Sequence, residues 1–224
     1  MPSWSEILVL LPFFSGTSAV LGLIITSAVL VLLQDWRLLI FVLLVQYAFA
    51  NILLINFLPA EIALFKFIVG AMICLFLFTS VRRAVKETAP SRYTRWKGGV
   101  RVWAHRDVLG LWFPFRLLTV LLIGVVVYVF TQRFPLQGIP LHVNFAIYWL
   151  AFMGLLVVML TVRPLKVGLG LLTFLIAFEL YYVTIERGLV VTGLLGVLHL
   201  MVALATAYLI IAQAGLVSEE TAEE

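Results

Sequence analysis

Seven apolar runs govern what this chain becomes: approximately 7–33, 38–57, 62–81, 117–130, 143–162, 167–184 and 189–212. About twenty residues, rising 1.5 Å each, cross a hydrocarbon core roughly 30 Å thick. Hydrophobic residues make up 64% of the sequence and charged residues only 12%. That is too little polar surface to cover a soluble domain. The expected fold is therefore all-α: a polytopic integral membrane protein of about seven transmembrane helices. Strand-length alternation of apolar and polar residues does not recur, which argues against a β-barrel. The first run contains Pro12 and Gly16 and is expected to tilt or kink. Lacking a basic leader and a small-residue cleavage site, it reads as a retained helix rather than a signal peptide. The fourth run is the shortest.

Breaks fall at Asp35-Trp36-Arg37, Pro59-Ala60-Glu61, Arg163-Pro164-Leu165-Lys166 and Glu186-Arg187-Gly188. Such short connections make neighbouring helices antiparallel hairpins. The segment 82–106 carries Arg82, Arg83, Lys86, Arg92, Arg95, Lys97, Arg101 and Arg106. Excess Lys and Arg marks cytoplasmic loops, so the expected orientation is N-terminus outside and C-terminus inside. The domain plan that follows is a three-helix unit over 1–81, a basic, aromatic interfacial loop over 82–116 and a linker helix over 117–131. A second three-helix unit over 143–213 and an acidic tail over 214–224 complete it. Positions 37–54 and 166–183 both begin with a cation and carry an Ala-Phe pair followed by a polar residue, Asn51 in one and Glu179 in the other. This resembles a parallel repeat, with chance similarity between apolar helices as the alternative.

Glu179 is the most informative polar residue. A charge near a helix centre costs roughly 2.5–3.5 kcal/mol on insertion scales. It is expected to face protein or water, either as a proton-relay carboxylate or as a structural hydrogen-bonding group. Tyr182, three residues on, shares its face. His199 lies in the next run on a stripe with Thr192, Gly196 and Ala203. Three readings apply to it: packing, proton relay with Glu179, or axial ligation of a haem or chlorophyll-type pigment. Lys66 lies about a turn inside the third run, and its stem is expected to snorkel outward toward Glu61. Its alternative is a seam with Ala63, Gly70 and Cys74. Gln46, Asn51 and Asn56 read as interhelical hydrogen-bonding groups. The proton-path candidates are Glu179, His199, Tyr182, Asn51 and Lys66.

The basic loop interleaves cations with Trp96, Trp103, Trp112, Phe113 and Phe115. Beside membrane spans, this pattern marks an interface with anionic lipid or a partner subunit rather than with nucleic acid. Its candidate contacts are Arg82, Arg83, Arg95, Trp96, Lys97, Arg101 and Trp103. Nucleotide-binding, zincin and paired-cysteine motifs are missing, and Gly168-Leu169-Gly170 lies within a span. No metal or cofactor is expected apart from the pigment alternative, and the chain is not expected to be catalytic by itself.

The three-helix unit from Val143 to Gln213, with Glu179 in "IAFELYYV", resembles the small K-type membrane subunit of respiratory complex I. With its additional N-terminal helices, the whole chain is similar to component E of hydrogenase-4-type complexes and to C subunits of multisubunit cation/proton antiporters. The resemblance implies a proton-path subunit among antiporter-like membrane partners in a prokaryotic cytoplasmic membrane. Of the family's site residues only Glu179 is carried over. Where the family's third helix often carries another carboxylate, this chain has His199, and the first unit has Asn51. The expected function is a non-catalytic subunit of a proton- or cation-translocating or electron-transport complex. Alternatives are a structural subunit of a photosynthetic or respiratory complex, and a free-standing small transporter.

Overall fold

A computed structural model describes residues 16–55, 60–87, 113–136, 138–185 and 188–223. Among them are seven helices and no strand: α1 (Gly16–Leu32), α2 (Trp36–Leu54), α3 (Ala60–Glu87), α4 (Phe113–Arg133), α5 (Leu141–Met159), α6 (Pro164–Ile185) and α7 (Leu189–Glu223). Six of them, α2 to α7, are long and apolar enough to cross a membrane. The described part of α1 is 17 residues long. The chain is an all-α polytopic membrane protein, and its helices fall on the seven apolar runs.

Three boundaries move relative to the sequence reading. The fourth run is part of a 21-residue helix, so α4 is not short. Phe113, Pro114, Phe115 and Arg116 belong to it rather than to the loop. Proline suits this position because first-turn amides have no intrahelical acceptor. At the other side of the basic segment, Arg82 and Arg83 ride exposed on the last turns of α3. Cations near a helix C-terminus complement its dipole, so α3 continues where hydropathy alone would end it. Arg95, Trp96, Lys97, Arg101 and Trp103 lie outside the described residues. Finally, α7 runs on from the seventh apolar run into the acidic tail, as far as Glu223.

Short turns fold α1 onto α2 and α5 onto α6. Asp35 caps α2, its carboxylate accepting from the Arg37 amide at 3.1 Å. Each helix of the first triple also packs on one helix of the second: α1 on α5, α2 on α6 and α3 on α7. The fourth helix lies to the side, against α5 and α1.

Close approach is set by small residues, since lipid supplies no hydrophobic drive between helices. A Cβ built on Gly154 of α5 would sit 2.7 Å from the Gly170 carbonyl of α6, and one on Gly170 would sit 2.8 Å from the Gly154 carbonyl. In the same turn of α6, Gly168 faces Thr206 of α7, where a Cβ would lie 2.2 Å from the threonine methyl. Gly168-Leu169-Gly170 thus lets α6 wedge between its two neighbours. On α3 and α7 the buried stripes are Ala63, Lys66, Gly70 and Cys74, and Thr192, Gly196, His199 and Ala203. Leu64, Phe65, Val190 and Leu194 point outward on the same helices. The seam expected for α3 is therefore present; α3 packs on both α7 and α2, and a Cβ built on Gly70 would sit 2.8 Å from the Tyr47 ring of α2.

Polar ties complete the packing. The Trp149 indole nitrogen donates to the Ser27 hydroxyl at 2.7 Å, joining α5 to α1. At one end of the bundle, the Lys166 ammonium donates to the Leu33 carbonyl at 2.5 Å, occupying one of the acceptors that α1 leaves open.

Candidate functional site

The opposite end, beneath the α2–α3 and α6–α7 connections, holds a buried pair of opposite charges. Glu179 lies six residues before the end of α6, and Lys66 six residues after the start of α3. At 1.5 Å per residue both sit about 9 Å inside the helix ends, so antiparallel helices place them level. The Lys66 ammonium donates directly to Glu179 Oε1, and the pair is a buried salt bridge. Fractional exposure is 7% for Lys66 and 5% for Glu179.

This corrects the expectation that Lys66 snorkels to the interface. Snorkelling relieves a charge that has only lipid around it. Here the buried stripe of α3 turns Lys66 inward, where a carboxylate compensates the charge. Sequence reasoning put both residues among the candidates without pairing them. Four helices converge here through α2·α6, α3·α7, α2·α3 and α6·α7 packing, yet α3 and α6 are far apart in sequence.

His199 approaches from α7. Its Nδ1 lies 2.8 Å from the Leu195 carbonyl, and its Nε2 lies 3.8 Å from Glu179 Oε2. A carbonyl only accepts, so Nδ1 carries the hydrogen of that bond. In the neutral ring Nε2 is then a lone pair turned toward a carboxylate oxygen. At 3.8 Å the two atoms are too far apart for a direct hydrogen bond. A proton on either of them, or a bridging donor, makes the contact favourable.

Tyr47 and Asn51 of α2 line the same cleft, which encloses about 360 Å³ including its open mouth. The Asn51 amide nitrogen donates to the Tyr47 carbonyl at 3.0 Å, one helical turn back. Tyr47 Oη, Asn51 Oδ1 and His199 Nε2 are buried polar atoms with no hydrogen-bond partner among the described residues. The rings of Tyr47 and His199 meet edge-on, with centroids 6.0 Å apart. Tyr47 escaped the sequence reading. The signal available was its spacing, four residues before Asn51 on one helix face.

Of the five proton-path candidates, the fold brings together Glu179, His199, Lys66 and Asn51. Tyr182 is not in the cleft lining, and its ring lies against Phe178 with centroids 6.1 Å apart. Three residues advance a helix by about 300°, so Tyr182 stays near Glu179 along α6, rotated about 60° from it and outside the cleft lining. The Gln46 carbonyl faces the Thr173 hydroxyl at 3.5 Å, joining α2 to α6 as an interhelical tie. The side chain of Glu61, the expected partner of Lys66, and all of Asn56 lie outside the described residues.

Comparison with protein-family models, with curated proteins and with solved structures gives no match.

Proposed function

We propose that this protein is a proton-handling subunit of a multisubunit ion-translocating or electron-transport membrane complex, with Lys66, Glu179 and His199 as the proton-binding cluster. One observation carries the reading. His199, its tautomer fixed by the Leu195 carbonyl, aims a free nitrogen at the carboxylate oxygen that Lys66 does not hold. Lys66 balances the charge of Glu179, so the empty cluster is neutral overall. A proton arriving at Nε2 then makes the imidazole an ion-pair partner of Glu179 Oε2 at 3.8 Å, and the cluster carries one positive charge until the proton leaves. Tyr47 and Asn51 offer a hydroxyl and a carbonyl at the cleft. A water there would bridge them to the imidazole, since a polar site with several partners holds water well. The chain supplies one such station, and a continuous path needs groups from neighbouring subunits.

The direct Lys66–Glu179 contact favours a second reading, an ionic staple between α3 and α6. The two readings diverge in one experiment. In membranes that retain the native partners, Glu179→Gln is expected to stop proton flux through the complex while the complex still migrates intact on native gels. Glu179→Asp is expected to restore part of that flux. If flux persists unchanged in Glu179→Gln, the relay is refuted and the staple stands.

A further inference from the structure

A second basic site lies at the other end of the bundle and plays no part in the proton cluster. Arg116 is the fourth residue of α4, and Lys166 is the third residue of α6. Both line a pocket of about 220 Å³, open mouth included, whose other walls include Leu30 of α1, Leu160 at the end of α5 and Thr161 in the turn beyond. Lys166 is only 6% exposed and spends one hydrogen on the Leu33 carbonyl, leaving two more donors. Arg116 Nη1 is enclosed and has no acceptor among the described residues. Arg163 adds a third cation three residues before Lys166. The nearest acid in sequence to the α1 end, Asp35, is exposed, is not in the pocket lining and caps α2.

Among the described residues no carboxylate lines this pocket, so its two cations repel each other and keep donors to spare, a costly arrangement unless an anion completes it. We propose that this pocket binds a phosphate-bearing anion, and that its natural occupant is the headgroup of an anionic phospholipid. A guanidinium fork with an ammonium beside it matches a phosphodiester. The pocket sits beside α4, whose Leu118, Leu121, Leu122 and Val125 are all at least 60% exposed and present an apolar track for acyl chains. Basic pockets between transmembrane helices at the bilayer surface recognise headgroups in this way. Bound there, the lipid ties α4 to the α1–α5–α6 corner, where α4 otherwise has few neighbours.

The test uses the full chain in neutral detergent. Phosphatidylglycerol, phosphatidylcholine and inorganic phosphate are titrated in parallel, with bound molecules counted by native mass spectrometry and the thermal midpoint followed. Phosphatidylglycerol is expected to bind about tenfold or more tightly than phosphatidylcholine and to raise the midpoint. Arg116→Gln is expected to remove that preference, while Arg133→Gln, at the far end of α4, keeps it. Equal binding of the two lipids overturns the proposal from the wild-type protein alone, whether or not a variant folds. A preference that survives Arg116→Gln overturns the placement. Displacement of the lipid by inorganic phosphate, with the same rise in midpoint, overturns the lipid as occupant and leaves a free-phosphate site.

Discussion

Replacing Lys66 and Glu179 singly and together separates what the buried pair does for the fold from what it does with protons. Lys66→Met leaves the Glu179 carboxylate without its cation, and Glu179→Leu leaves the Lys66 ammonium without its anion, at sites 7% and 5% exposed. An uncompensated buried charge destabilises by about 3–5 kcal/mol. Lys66→Met/Glu179→Leu removes both charges and keeps the volume apolar. Exchanging a buried ion pair for packed apolar groups is often neutral, or stabilising by about 1–4 kcal/mol. The double variant is therefore expected to be close to wild type, with a coupling energy of at least about 3 kcal/mol, against independent sites whose effects add to within about 0.5 kcal/mol. The measurement is unfolding in mixed micelles titrated with sodium dodecyl sulfate, followed by circular dichroism. A double variant whose loss equals the sum of the single losses refutes the pairing. If the pair holds, the same protein serves as the functional control: fully assembled, and without the carboxylate that the proton reading requires.

Other consequences follow from single contacts. Gly170→Ala places a methyl 2.8 Å from the Gly154 carbonyl, backbone that cannot yield cheaply. A loss of about 1–3 kcal/mol is expected in the same unfolding assay, as for other overpacked cores. Trp149→Phe gives up the indole bond to Ser27 and leaves that hydroxyl to its own helix carbonyls, which costs about 1 kcal/mol. Cys74, the single cysteine, is buried between α3 and its neighbours. A maleimide is expected to label it only as fast as the bundle opens, and immediate labelling in the folded protein would contradict the α3–α7 seam.

Much of the helix plan was legible in the sequence because hydrophobic run length and helix rise answer to the same bilayer thickness. The apolar runs became helices, the small-residue stripes on α3 and α7 became their buried faces, and Glu179 and His199 stood out as polar residues within spans. Boundaries at charged ends were less legible. Hydropathy stops at the first arginine, whereas a helix continues through Arg82 and Arg83 because its hydrogen bonds do not depend on side-chain polarity. The expected orientation, domain division and family resemblance rest on the sequence; they enter the fold only as the helices themselves.

The sequence by itself determined that this chain is a helical membrane protein and which of its polar groups are costly in lipid. Tertiary structure alone decided that Lys66 meets Glu179. Periodicity fixes the face on which a residue lies, but the neighbour of that face depends on how the helices pack, in part through contacts more than a hundred residues apart such as Lys66–Glu179. Tertiary packing turned Lys66 from the interface to Glu179, set His199 against the second carboxylate oxygen and left Tyr182 outside the cleft lining. The packing also drew Tyr47 into the cleft and placed Arg116 of α4 in one pocket with Lys166, a pairing to which no local pattern points.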